Sequence, residues 1–132
     1  MLVWIILAIT VAGLGYIRLA PADAQRFHLH LAGDADETRA GSALRVRDGG
    51  AAEFTRLVDT IVALDRTHTI AGSLESGHMT FVTRSLFFGF PDYTTIEILD
   101  GQIRLFARLR FGSADLGVNA RRLDEVISRA GL

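Results

Sequence analysis

Four arginines have the spacing to act together. Arg104, Arg108 and Arg110 fall at even intervals, which on a β-strand aims them at one face. Arg84, on a nearby extended stretch, is placed to join them. Guanidinium groups gathered in this way hold a phosphate or carboxylate through paired hydrogen bonds. The competing use is internal pairing with Glu97, Asp92 and Asp115 across an ordinary charged sheet face. A second candidate is the stretch Gly112 to Asn119, where Ser113 and Asn119 supply polar side chains ahead of a helix. Backbone N–H groups at such a place attract anions. The plainer use of Gly112, Asp115 and Gly117 is a strand-to-helix turn held by an Asp115–arginine hydrogen bond.

Other chemistry has less support. His28 and His30 share one face of an extended stretch, but no carboxylate or third histidine stands at a metal-ligand spacing from them, so no metal site is assigned. His68, Glu75 and His78 bracket a turn. Ser85, His78 and Asp92 could be written as a triad, yet no nucleophile elbow surrounds the serine. No cofactor-binding motif is present.

Composition narrows the classes further. The formal net charge is −1, without the basic excess of a nucleic-acid binder. All 14 basic residues are arginine, which excludes lysine Schiff-base chemistry and a P-loop. The chain holds 0 cysteines, so disulfides, thiol nucleophiles and zinc–thiolate sites are excluded.

These side chains need elements to position them. Met1 to Ile17 carries no charged side chain and as a helix would span roughly 26 Å, close to the ~30 Å hydrocarbon core of a bilayer. Arg18 can extend the span by snorkelling, Trp4 and Tyr16 suit the two interfaces, and Pro21 stops the helix. Residues 1–20 are therefore expected to be a transmembrane anchor. The rival is a signal peptide cleaved near Ala22-Asp23-Ala24. Arg18 and Arg26 favour a cytoplasmic domain by the positive-inside rule, whereas the possible cleavage site favours export, so the side stays open.

Residues 21–132 read as one α+β domain, a size that can bury its own core. Arg26 to Leu31 alternates like a short strand, a polar loop runs from Gly33 to Ser42, and Leu44 to Arg47 suggests a second extended piece. Phe54, Leu57, Val58, Ile61, Val62 and Leu64 form a helical stripe over Ala51 to Asp65. Arg66–Gly72 and His78–Phe88 read as strands. Asp100-Gly101 predicts a type I′ hairpin turn that sets Ile98 opposite Ile103, Ile96 opposite Leu105 and Thr94 opposite Ala107. Those pairs form the core face. Glu97–Arg104, Thr95–Phe106 and Tyr93–Arg108 occupy the other. A final helix, capped by Asn119, buries Leu123, Val126, Ile127 and Ala130. The predicted order is ββ-α-ββββ-α, an antiparallel sheet with two helices on one face.

The block Arg108 to Asn119, with Arg121 and Arg122 following, resembles a signature of the bacterial and chloroplast domain-of-unknown-function family numbered 1499. Members typically read R-S-x-x-G-x-S-D-x-G-x-N-x-x-R there, and Phe90-Pro91-Asp92 matches the family's F-P-D element. The resemblance covers residues 50–132. Leu109 and Ala114 replace the usual serines, and the family's upstream cysteine-containing segment is absent. The resemblance implies a fold and a membrane or organelle setting, with no established activity attached.

The expectation is thus a single-pass protein of the bacterial inner membrane. Its domain would be a binding or accessory module, more an adaptor than an enzyme, that engages an anionic lipid, a small anion or another membrane protein. Nucleic acid is not an expected partner. Two alternatives stand beside it: a structural subunit using the apolar run Leu86-Phe87-Phe88, and a hydrolase using Asp92, Asp115 and a histidine.

Overall fold

The computed structural model describes residues 1–132. A six-stranded antiparallel sheet in the order β1-β2-β6-β5-β4-β3 organises it. The strands are β1 (Glu37–Arg39), β2 (Ser42–Asp48), β3 (Thr67–Ser73), β4 (His78–Arg84), β5 (Pro91–Leu99) and β6 (Gln102–Leu109). Helices α3 (Ala51–Val62) and α4 (Val118–Arg129) lie on one face, preceded in the chain by α1 (Leu2–Leu19) and the single turn α2 (Ala24–Phe27). The α+β class and the order ββ-α-ββββ-α are those expected.

The hairpin has the predicted register. Ile98 pairs with Ile103, Ile96 with Leu105, and Glu97 with Arg104. Asp100 and Gly101 both adopt positive φ, 52° and 75°, as a type I′ turn requires. Phe81, Ile96, Ile103 and Leu105 meet Phe54, Leu57 and Ile61 of α3 and Leu123, Val126 and Ile127 of α4 in one buried cluster. In β2 the helix-side face carries Ala43 and Arg45, set opposite Ala107 and Leu105. Arg45 reaches the surface of α4 and grips Asp124 through two hydrogen bonds of 2.6 and 3.2 Å.

Two local expectations are corrected. The first strand is Glu37–Arg39, inside the supposed polar loop, because Arg26–Leu31 forms α2 and then an irregular strap crossing the second sheet face. The strap's backbone groups pair with sheet side chains rather than with a neighbouring strand. Thr95 donates to the Phe27 carbonyl, His78 contacts that of Leu29, and Glu97 accepts the Leu31 N–H. Alternation alone cannot separate this crossing from a strand. The second correction concerns α4, which begins after Gly117 at φ 79°. Asn119 lies inside the helix, fully buried, and Asp115 takes the capping role.

Helix α1 buries none of its residues against the sheet. It is long and apolar enough to cross a membrane, and a signal sequence would satisfy the same test.

Candidate functional site

A cleft of about 720 Å³ opens where α1 ends, between the β4–β5 connection and the Gly112–Val118 turn. Apolar side chains of Ile17, Phe90, Leu109, Phe111 and Val118 line it together with Arg66, Arg84, Asp92, Asp115 and Arg122. The polar floor is one hydrogen-bonded chain. Asp115 accepts from the Gly117 and Asn119 N–H groups at 2.9 and 3.1 Å and from Asn119 Nδ2 at 2.7 Å. Asn119 Oδ1 accepts from Arg122 at 2.6 Å, and Arg122 reaches Asp92 Oδ2 at 3.3 Å. Burial pushes the Asp92 carboxyl above its ordinary range, with the Arg122 guanidinium opposing and the Asp115 charge adding to the shift. The short elements recognised in the sequence, F-P-D and D-x-G-x-N-x-x-R, therefore meet in space as this floor.

Arg84 joins the cleft but spends its donors on carbonyls. It reaches Gly89 at 3.0 Å, Ala20 at 2.9 Å and Ile17 at 3.4 Å. A cation there suits the partial negative charge at the C-terminus of α1. Arg66, exposed on the cleft rim, donates through Nε to the Arg84 carbonyl at 3.0 Å. Ser113 is exposed on the turn and Gly112, at φ 97°, lines the wall. No histidine is among the lining residues.

The other three arginines of the predicted row project from the second face of β6 and its continuation into the strap. Arg104 Nε donates to the Gly33 carbonyl at 2.7 Å and Nη2 to Gln102 at 2.9 Å. Arg108 lies 4.4 Å over the Phe27 ring and donates to the Arg26 carbonyl at 2.9 Å. Phe27 in turn stacks on Tyr93 with centroids 3.8 Å apart. Burial, and then the neighbouring Arg26, lower the Arg108 pKa. Arg110 donates to the Pro21 carbonyl at 2.6 Å and to the Tyr93 hydroxyl at 3.1 Å. Each of these groups thus holds backbone within residues 21–33, and Arg104 also faces the Asp34 carboxylate at 3.6 Å.

Glu97 does not pair with Arg104, its neighbour in register. His30 Nδ1 lies 2.5 Å and His78 Nδ1 3.8 Å from Glu97 Oε2. The His28 and His78 rings stack at 3.9 Å, and His28 Nδ1 meets the Thr80 hydroxyl at 2.8 Å. Sequence spacing gave no sign of this group. His78 and Glu97 are opposite in the β4–β5 register, which becomes readable only once that pairing is known. Ser85, His78 and Asp92 do not assemble. Asp92 pairs with Thr83, five positions along β4 from His78, a separation of roughly 17 Å.

The profile of the family of proteins of unknown function numbered 1499 (DUF1499) matches residues 17–129, and the chain belongs to that family. No curated protein matches it.

Proposed function

We propose that this member of the DUF1499 family is a single-pass, membrane-tethered binding module whose cleft receives the anionic headgroup of an amphiphile at the bilayer surface. The observation that carries the reading is the position and lining of the cleft. It adjoins the last turns of the one helix apolar enough to cross a membrane, with Ile17 of that helix in its wall. Apolar side chains and arginines lining one cleft suit a molecule that is half lipid and half anion. Arg66, Arg84 and Arg122 outnumber Asp92 and Asp115 among the lining charges, so the field favours an anion.

Binding is favoured over hydrolysis by the state of the acids. Both Asp115 oxygens accept backbone or amide N–H groups, Asp92 faces Arg122, and no histidine lines the cleft to relay a proton. Partnership with another membrane protein is the second use that the exposed Leu86, Phe87 and Phe88 support.

The test uses the full chain in detergent micelles, with short-chain phosphatidylglycerol and phosphatidylcholine compared as ligands by thermal shift. The anionic lipid is expected to raise the melting temperature and the zwitterionic one to leave it unchanged. Arg66→Ala, at an exposed position, is expected to weaken that response at least several-fold, with only a small change in the unliganded melting temperature from loss of the Arg84 carbonyl contact. Equal responses to both lipids, or an unaltered response in the Arg66 variant, would reject the reading.

A further inference from the structure

We infer that His30, His78 and Glu97 form a binding site for a divalent transition-metal ion of the zinc type, on the sheet face opposite α3 and α4. One ligand atom from each of the three lies within 4.8 Å of the others. A tetrahedral zinc site with bonds of about 2.0 Å sets its ligand atoms about 3.3 Å apart. The separations to Glu97 Oε2, 2.5 Å from His30 and 3.8 Å from His78, bracket that value. Side-chain adjustments of an ångström or so would place an ion among them.

Hydrogen bonding orients the donor atoms. His78 Nε2 lies 3.0 Å from the Leu29 carbonyl, which can only accept, so Nε2 carries the ring proton. In the neutral ring Nδ1 then presents its lone pair toward Glu97 Oε2. Two acceptor atoms face one another there, an arrangement that a shared cation relieves. The second carboxylate oxygen, Oε1, accepts the Leu31 N–H at 3.2 Å, which fixes the carboxylate; without an ion Oε2 accepts from His30 Nδ1–H, and a bound metal takes the place of that proton. A histidine held through its far nitrogen by a backbone carbonyl, beside a carboxylate itself hydrogen-bonded, is the outer-shell support that metal sites use.

The neighbours complete the picture. Thr95 donates its hydroxyl proton to the Phe27 carbonyl, so Thr80 donates to Thr95, and His28 Nδ1–H donates to Thr80. His28 is thereby locked as a stacking plate against His78 and is not needed as a ligand. Glu97 and His78 are buried whereas His30 is exposed, and His30 also lines a cavity of 260 Å³ beside β1 and β2. The site thus has two rigid ligands on paired strands and a third that closes from the strap, reachable from solvent. Two imidazoles and one carboxylate suit zinc or a neighbouring divalent metal and not calcium or magnesium, which take oxygen ligands. Three protein ligands leave a fourth position for water.

The alternative use of the same residues is a metal-free latch that ties the strap to the sheet, and the two are separable. Full-length protein in detergent, stripped with a chelator and dialysed, is titrated with Zn²⁺ against a chromogenic competitor. One equivalent is expected to bind. His30→Ala and Glu97→Gln are each expected to weaken binding by at least the roughly 10–100-fold that loss of an outer-shell partner costs. His68→Ala, on an exposed part of β3, is the control expected to bind as the parent does. Glutamine keeps an oxygen for the Leu31 N–H, and His30 is exposed, so at least one of the two variants folds, as circular dichroism will show. Absence of saturable binding, or equal affinity in the parent and in a folded His30 or Glu97 variant, would leave the latch as the whole role of the cluster.

Discussion

At Glu97, hydrogen-bond partners outweigh the effect of burial. Burial alone pushes its carboxyl upward, but the hydrogen bonds from His30 and the Leu31 N–H, with favourable electrostatics from the neighbouring imidazoles, outweigh that and hold it below the usual glutamate range. A carboxyl depressed in the folded state stabilises the fold above its unfolded value, and that contribution is lost as pH falls through the carboxylate range. Asp124, held down by Arg45, titrates in the same direction. Asp36 is held down as well, and these lowered carboxyls together outweigh the opposite contribution of the raised Asp92, so melting temperature is expected to drop between about pH 5 and pH 3. Glu97→Gln is expected to melt lower than the parent at pH 7 and to approach it toward pH 3. Melting curves recorded across that range check this, and a constant gap between the two proteins would show that Glu97 ionisation contributes nothing. The cross-strand partner of Glu97 was legible, since a two-residue turn fixes register. Its hydrogen-bond partners His30 and Leu31 were not, because they come from a strap 67 and 66 residues away in sequence that meets the sheet through side chains.

At the scale of elements, the strongest periodicities carried the most information. The stripes of α3 and α4 and the alternation of β5 and β6 each bury an apolar face, and a one-residue slip in either strand would have turned Ile96 and Leu105 outward. The misread elements are those whose shape depends on polar groups. Arg26–Leu31 alternates as a strand does, yet its carbonyls are claimed by Thr95, Arg108 and His78. At α4, Asn119 has the side chain of a cap, but Asp115 reaches past the left-handed Leu116 to the N–H groups of Gly117 and Asn119. That geometry predicts that Asp115→Ala costs about 0.5–2 kcal/mol, the range for loss of a helix cap, with some of it arising from release of Asn119 and Arg122. Urea unfolding of the full chain in micelles measures it. A change under about 0.3 kcal/mol, typical of surface substitutions, would mean that the cap is replaced by water. The glycines of the 112–117 turn were readable as a turn. The meeting of Asp92 with Arg122 was not, since 30 residues and a complete hairpin separate them.

For the whole molecule, the distribution of exposed apolar side chains gives the proposed membrane placement a direction. Leu86, Phe87 and Phe88 are 63%, 81% and 55% exposed, and Leu116 on the adjacent turn is 88% exposed. Both loops lie at the end of the sheet where α1 departs: Arg18 donates to the Phe87 carbonyl, and Tyr16 packs edge-on against Phe111. Removing one phenylalanine of this kind from water is worth about 1.5–3 kcal/mol, so an apolar rim is costly in water and stabilising at a bilayer surface. The proposed arrangement therefore seats the two loops in the interface, with the cleft mouth between them at headgroup depth and the His30–Glu97 cluster on the sheet face away from the helices. The sequence contains 1 tryptophan, Trp4, which permits a clean probe: Phe87→Trp in a Trp4→Phe background, reconstituted in vesicles. Its emission is expected to be blue-shifted and to be quenched by lipids brominated near the top of the acyl chain, while aqueous iodide quenches weakly. A water-like emission maximum with full iodide access would place the loop outside the bilayer. The rim would then be a surface for a protein partner, and the cleft would open to solvent rather than to lipid.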